Sequence, residues 1–557
     1  MEKPGIIHFF KEEKARVLYG HIGVMVILTG IASIALLGII NEVAFNQRDV
    51  REDLIFYGLA MFIFALGTRS LNIKVTQVVE RQLLAIRLRI LDRIRAADLK
   101  QVEGIGKEDI NIALSQDIAL VSNSADMLIS AIQQSILLLF CVSYVAWLSP
   151  LAFFIVVGSI IITYLLIAKL QQILQKNYHR LGDEEGKLYS RLDHLINGFK
   201  EIKLNQAKSD AIYAEYRQHV EETERLKVEN RVSASWAILS SHLFMYTLLG
   251  AIVFALPLLA DPSGGLVGKL VATVLFILTP LLLILEGVPT IERANSSLER
   301  IYQLEKQFKH EETLSPTAKD DVFSKPKFNQ LQLDNVVFCY NDNSQFSVGP
   351  IDLVINRGEI LFITGGNGSG KSTLLKLLCG LYHPQSGTIQ LNQMGISPVN
   401  LNQLKEQFAV IFTDFHLFDK FYGLTDVDDN RVQQLIDKME LTGKVNFVDG
   451  RFSTLQLSTG QRKRLALIMA LLDDRDIYIF DEWAADQDAH FRRYFYEEIL
   501  PELKAAGKAV IAVTHDDRYW SYCDRLIKLD LGRIQEQHDH RKKTKSSARK
   551  TEAVSAQ

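Results

Sequence analysis

The chain has few cysteines, and the four present, Cys141, Cys339, Cys379 and Cys523, nowhere stand in CxxC spacing. That scatter argues against a thiolate metal site or a disulfide framework and for buried core thiols. Excess charge is also scarce, a formal −3 over 557 residues, so no bulk attraction points toward nucleic acid as a partner. What the N-terminal half lacks is charge over long stretches. Hydrophobic residues make up 48% of the chain and mean hydropathy is +0.07, because apolar residues gather there in uninterrupted runs. Such runs indicate a membrane protein. With so few acids inside them, a proton relay lacks candidates and the membrane half suggests no ion-driven pump.

A spanning helix needs about 20 mostly apolar residues rising about 1.5 Å each. Six segments qualify: roughly Val17–Ile40, Leu54–Gly67, Met127–Leu148, Leu151–Leu170, Ser235–Ala260 and Leu266–Leu285. The first is too long for a signal-peptide core and shows no clear cleavage site, so it reads as a retained anchor. The third and fourth are separated only by Ser149 and Pro150, a tight hairpin. Long charged stretches, 68–126 and 171–234, lie on the other side. The first carries Arg69, Lys74, Arg81, Arg87, Arg89, Arg93, Arg95, Lys100 and Lys107, which places these stretches and both termini in the cytoplasm by the positive-inside rule. Apolar residues at three- and four-residue intervals in "VVERQLLAIRLRILDRIRAADL" predict that the second span continues as a helix beyond the bilayer, its arginines on a solvated face. "GIGKEDI", Gly104 to Ile110, breaks that pattern and is expected to turn toward another domain, with "FKEIKLNQAKSDAI", Phe199 to Ile212, as its counterpart. Lys269 and Glu286 near the ends of the sixth span are expected to snorkel.

From about Lys306 the chain turns polar and reads as a linker, 306–329. "EILFITGGNGSGKSTLLKLL" then gives a strand, a glycine-rich turn and a helix, and Gly365 to Ser372 fits G-x-x-x-x-G-K-[ST] completely. In that context Gly365, Gly366, Asn367, Gly368, Ser369, Gly370, Lys371, Ser372 and Thr373 form a cradle for nucleotide phosphates. Backbone N–H groups close around the oxygens, Lys371 reaches the terminal phosphates, and Ser372 can ligate Mg²⁺. Downstream, "IYIFDEWAADQD" sets two acids at the end of an apolar strand. Asp481 suits the metal, through water, and Glu482 suits the base that deprotonates the attacking water.

"LQLSTGQRKRLALIMALL", Leu455 to Leu472, resembles the ABC signature about twenty residues before that strand. The resemblance implies that Tyr340 stacks on adenine and that Ser458, Gly460 and Gln461 close on ATP held by a second copy. It further implies that Asp488 is the D-loop acid and His515 the switch histidine at the γ-phosphate. The whole chain resembles an ABC exporter half-transporter. "GGNGSGKST", "FTDFHLF", "LSTGQRKRLAL" and "DEWAADQDAHFRRYFY" are similar to bacterial cyclic-peptide and siderophore-precursor exporters, which include pyoverdine-precursor exporters.

Two positions depart from that pattern. Thr413 replaces the usual Q-loop glutamine and is too short to span the same distance to a metal; Thr459 replaces the first signature glycine. The expected fold is a six-helix all-α transmembrane domain over residues 1–305, followed by an α/β P-loop ABC ATPase domain over 330–535 and a disordered basic tail over 536–557. The expected function is ATP-driven export of a cyclic or non-ribosomal peptide across the bacterial inner membrane by a C2 homodimer, with ATP and Mg²⁺ as cofactors and lipid around the spans. A lipid flippase or broad drug exporter, or an ATP-regulated membrane sensor without transport, are the alternatives.

Overall fold

The computed structural model describes residues 6–11, 16–46, 50–259, 264–308, 327–340, 346–424 and 427–539, with the side chains of most of them. Most of the expected linker, 309–326, and the tail from 540 onward lie outside the described residues, as does the Glu286 side chain. The chain divides into two compact units: Met1–Arg95 with Gly106–Phe308, and Ala96–Ile105 with Lys309–Gln557.

The first unit is built on six long helices: Arg16–Asn46, Val50–Ala96, Ile118–Leu148, Pro150–Asn197, Gln206–Gly250 and Gly264–Gln307. Among the described residues, four stretches are long and apolar enough to cross a membrane, Gly20–Phe45, Arg51–Ala96, Lys107–Leu148 and Gly265–Ile284, and shorter apolar stretches run over Pro150–Ile162 and His242–Leu258. Each overlaps one of the six expected segments. The hairpin forms where Ser149 leaves the helix with extended backbone (φ −158°) and Pro150 starts the next. The Ser149 hydroxyl accepts the Ala152 N–H at 3.3 Å, an N-cap followed by proline where no helical N–H is needed. Val50–Ala96 holds 47 residues, about 70 Å at about 1.5 Å per residue, more than twice a hydrocarbon core of about 30 Å.

Polar contacts inside this unit differ from what the sequence alone suggested. Arg89 and Arg93 do not lie on a purely solvated face. Both pair with Glu305, which is buried (6% exposed), at 2.5 and 3.1 Å, and Arg93 also donates to the Glu305 carbonyl at 2.6 Å. Nor does Lys269 simply snorkel: its ammonium lies 2.8 Å from Glu42 with the lysine side chain 12% exposed. Beside that pair, the fully buried Asn41 donates to Tyr144 and Thr273, tying three helices together where a lone amide in an apolar setting would be costly. Asp117, also buried, accepts from Ser297 at 2.8 Å and from Arg300.

The second unit has a six-stranded sheet in the order Arg533–Asp539, Arg525–Asp530, Ile360–Gly365, Ala509–Val513, Ile477–Asp481, Phe408–Ile411. All but the first run parallel. The runs "IYIFD" and "AVIAV" are buried throughout, as strands covered on both faces must be. A smaller antiparallel sheet joins Ser347–Asn356, Gln330–Cys339, Ser386–Leu391 and Met394–Gly395.

The segment Ala96–Ile105, just upstream of and barely overlapping the "GIGKEDI" stretch singled out in the sequence, belongs to this second unit. Three polar anchors lie on or immediately before its short helix Leu99–Ile105. Glu103 accepts from Lys376 at 2.9 Å and from the Tyr382 hydroxyl at 2.6 Å. Asp98 meets His383 at 3.1 Å, an interaction that holds the Asp98 carboxyl below its usual range. Lys100 lies 5.6 Å over the Phe338 ring. The counterpart, "FKEIK", is a short helix Phe199–Lys203 in the first unit, with Phe199 and the following Leu204 exposed.

Candidate functional site

Three parallel neighbours deliver the chemistry to one edge. Val513 is level with both Ile363 and Asp481 across the sheet, so the loops after Gly365, Asp481 and Val513 emerge side by side. Ligands of open parallel sheets bind at that carboxyl edge.

The turn after Ile360–Gly365 leads into the helix Lys371–Leu378. Two of its glycines are sterically required: a Cβ on Gly365 would stand 2.3 Å from the Leu529 carbonyl oxygen, and Gly370 has φ +98° with the Val348 side chain 2.9 Å from where its Cβ would be. Gly366 and Gly368 have open space around them, but Gly368 too has left-handed backbone, φ +76°. The Lys371 ammonium, mostly buried, donates to the carbonyls of Gly365 and Gly366 at 3.0 Å each. Phosphate oxygens are stronger acceptors than these carbonyls, so the same ammonium can turn to them. Ser369 Oγ is buried without a hydrogen-bond partner, a polar atom that the protein's own fold does not satisfy. Tyr340 donates to or accepts from Thr373 at 2.7 Å and sets its ring edge-on to Phe338 and Tyr382, which stack on each other at 4.7 Å.

Asp481 ends its strand 3% exposed and accepts from Ser372 Oγ at 3.1 Å. Burial pushes its carboxyl above the usual range; hydrogen bonds from Thr413 and Ser372 pull the other way, and the neighbouring Glu482 charge adds to the rise. A buried carboxylate flanked by two hydroxyls suits a hard divalent cation. Thr413, two residues past the strand Phe408–Ile411, therefore reaches Asp481 itself. Because valine keeps threonine's shape, Thr413→Val is expected to lower Mg²⁺-dependent ATPase less than about threefold, and Ser372→Ala at least about fivefold. Equal losses in the purified proteins would show Thr413 to be as close to the metal as Ser372.

Glu482 has left-handed backbone (φ 51°, ψ 34°), which swings its side chain out of the sheet to a partly exposed position where Oε1 lies 3.2 Å from Nε2 of His515. A cavity of about 330 Å³ opens beside this pair, lined also by Arg492, Tyr496 and Asp516. Arg492 donates to the carbonyls of Ala484, Ala485 and Gln487 at 3.2, 3.3 and 3.0 Å, bracing the turn that follows Glu482.

The signature segment begins a helix, Thr459–Asp473, with a complete capping box: Ser458 Oγ accepts the Gln461 N–H and Gln461 Oε1 accepts the Ser458 N–H. Thr459 is the first helical residue and exposed, so its β-branch meets no glycine-only conformation. Gly460 does have a packing reason, since a Cβ there would stand 2.8 Å from the Asp486 carbonyl. Asp488 caps the helix Ala489–Tyr494 through the Phe491 N–H at 2.9 Å and pairs with Arg464 at 2.5 Å; these contacts hold its carboxyl low.

The sequence reading missed Arg464, Arg492 and Lys463. Lys463 is 2% exposed on the helix face it shares with Ala466 and Leu467. A cation at helical spacing with core residues is the signal that could have marked it, since such a charge needs partners.

A glycine-rich phosphate loop, a strand-end acid pair and a histidine on one sheet edge define a P-loop ATPase, here in one chain with a helical unit whose helices are apolar enough to span a membrane. A family model for the ABC transporter transmembrane region matches residues 17–281, and one described as ABC transporter matches 348–485. The chain is similar to the ATP-binding protein SyrD of Pseudomonas syringae pv. syringae, 31% identical over 91% of this chain and 92% of that one. It is also similar to an ATP-dependent lipid A-core flippase of Dechloromonas aromatica (strain RCB), 26% identical over 64% and 63%. The solved structure of a bacterial Atm1-family ABC exporter with ATP bound superimposes with a TM-score of 0.74 at 18% identity, covering 95% of this chain and 97% of that one. The protein belongs to the ABC transporter family, as an exporter half-transporter that couples ATP hydrolysis to transport.

Proposed function

We propose that the chain works as a C2 homodimer that exports a cyclic or non-ribosomal peptide, such as a siderophore precursor, across the bacterial inner membrane. The observation that carries the assembly is that one chain holds one phosphate loop and one signature helix, so two copies give two complete sites by the most economical symmetry. The peptide class is supported by "LSTGQRKRLAL" and "DEWAADQDAHFRRYFY", similar to exporters of that class. In this reading residues 1–305 are the transmembrane domain with cytoplasmic helical extensions, 306–329 the linker and 330–535 the nucleotide-binding domain, with both termini in the cytoplasm.

Within each site, Tyr340 takes the adenine, the loop from Gly365 to Thr373 with Lys371 takes the phosphates, and Ser458, Gly460 and Gln461 of the other copy close over them beside Asp488. Ser372 and Asp481 would hold Mg²⁺, with Thr413 within reach of Asp481. The metal, when bound, neutralises charge on the phosphates. Glu482 takes the proton of the attacking water and His515, in contact with it, senses the γ-phosphate. Closure on ATP turns the spans outward and hydrolysis resets them.

The lipid-flippase reading stands second, favoured by the similarity to a lipid A-core flippase. The experiment is uptake into inverted vesicles with ATPase assayed in parallel. Cyclic peptides are expected to stimulate turnover and accumulate inside; translocation of a labelled lipid without peptide uptake would favour the flippase, and stimulation with no movement of either would favour a sensor.

A further inference from the structure

A buried lysine costs several kcal/mol unless its charge is answered, so the acceptors around Lys463 show what it is there to hold. Its ammonium lies 2.8 Å from the backbone carbonyl of Glu482 and 2.7 Å from a carboxylate oxygen of Asp486. Both acceptors belong to one turn, which starts at the left-handed Glu482 and continues as the 3₁₀ turn Trp483–Asp486. A left-handed backbone at a non-glycine residue costs free energy and persists only where its surroundings hold it. The same turn is fastened to the signature helix at further points: Trp483 Nε1 donates to the Lys463 carbonyl at 2.9 Å, Gln487 donates to the Gly460 carbonyl at 3.1 Å, and Arg464 donates to Gln487 at 2.9 Å. The Glu482 carbonyl also accepts the Ala485 N–H at 3.3 Å within the turn; among the side chains in these contacts, only the Lys463 ammonium grips that peptide unit, and at the shorter distance. That peptide plane sets the direction in which the Glu482 side chain leaves the backbone.

We infer that Lys463 is a positioning residue for hydrolysis: it fixes the left-handed turn that aims the Glu482 carboxylate. Through it, the helix capped by Ser458 is rigidly joined to the chain's own hydrolytic group. The inference rests on the assignment of Glu482 as the base, and it names a residue outside the phosphate loop and the signature contacts.

The test uses the purified full chain in lipid nanodiscs and compares Lys463→Met, Lys463→Arg, Glu482→Gln and the Lys463→Met/Glu482→Gln double variant. Methionine fills the same volume without the charge, so Lys463→Met is expected to melt with the wild type and keep its KM for ATP, while kcat falls at least about fivefold because the carboxylate is misaimed. Lys463→Arg, which restores a donor, is expected to recover part of kcat. If Lys463 acts through Glu482, the double variant is no slower than Glu482→Gln alone. A wild-type kcat in Lys463→Met, or losses that multiply in the double variant, would overturn the inference. Near-normal turnover in Glu482→Gln would instead overturn the assignment of the base, whatever Lys463→Met shows.

Discussion

Purified Glu482→Gln protein is expected to retain ATP and to hydrolyse it at least about tenfold more slowly than wild type, a loss of about 1.4 kcal/mol or more in transition-state stabilisation. The amide matches the carboxylate in shape, and its oxygen can keep the 3.2 Å contact to His515 if that nitrogen carries the proton. What it loses is the capacity to take a proton from water. The left-handed turn under Glu482 is made by the backbone and by Lys463, so the substitution leaves the site's frame in place. Nucleotide binding measured beside steady-state ATPase separates the two effects. Turnover close to wild type would remove Glu482 from the role of base.

The second large effect concerns assembly. A copy with Lys371→Ala lacks the ammonium now held within the phosphate loop, and one with Ser458→Arg places a bulky cation at the exposed start of the signature helix. Each homodimer should be nearly inactive, since both of its sites contain the defect. In a mixed dimer one site joins an intact Lys371 to an intact Ser458 from the other chain, while the second site collects both defects. ATPase should therefore return in mixed dimers isolated through two different tags. If they stay inactive while a dimer of wild-type and mutant copies keeps activity, ATP is not shared between copies.

How much of this was legible in the sequence depends on how far apart the interacting residues are. The phosphate loop was readable because its conformation is set within eight residues, by glycines whose left-handed angles are a local property, although the close contacts of Gly365 and Gly370 are made with the distant Leu529 and Val348. The six spans were readable from composition, since a bilayer demands apolar length whatever the packing. Lys269 was not, because its partner Glu42 lies 227 residues away and a lysine near a span end has a sufficient local explanation in snorkelling. Lys463 looked like one cation in the run "RKR"; only the turn 19 residues downstream shows that it points inward while Arg462 stays exposed. Thr413 was recognised as a departure, but its hydrogen bond to Asp481 depends on two adjacent strands placing both at the same edge.

The membership of Ala96–Ile105 in the second unit bears on how the protein is made. Asp98 and His383 are 285 residues apart, and synthesis proceeds at about 5–20 residues per second, so the short helix waits roughly 15 to 60 s before its docking surface exists. Until His383 is made, Asp98 lacks the imidazole that later holds it. The ATPase unit is thus not a single stretch of polypeptide. A fragment starting after Phe308 would carry Lys376, Tyr382 and His383 without the acids that pair with them, and would be finished only when that early piece of chain is supplied.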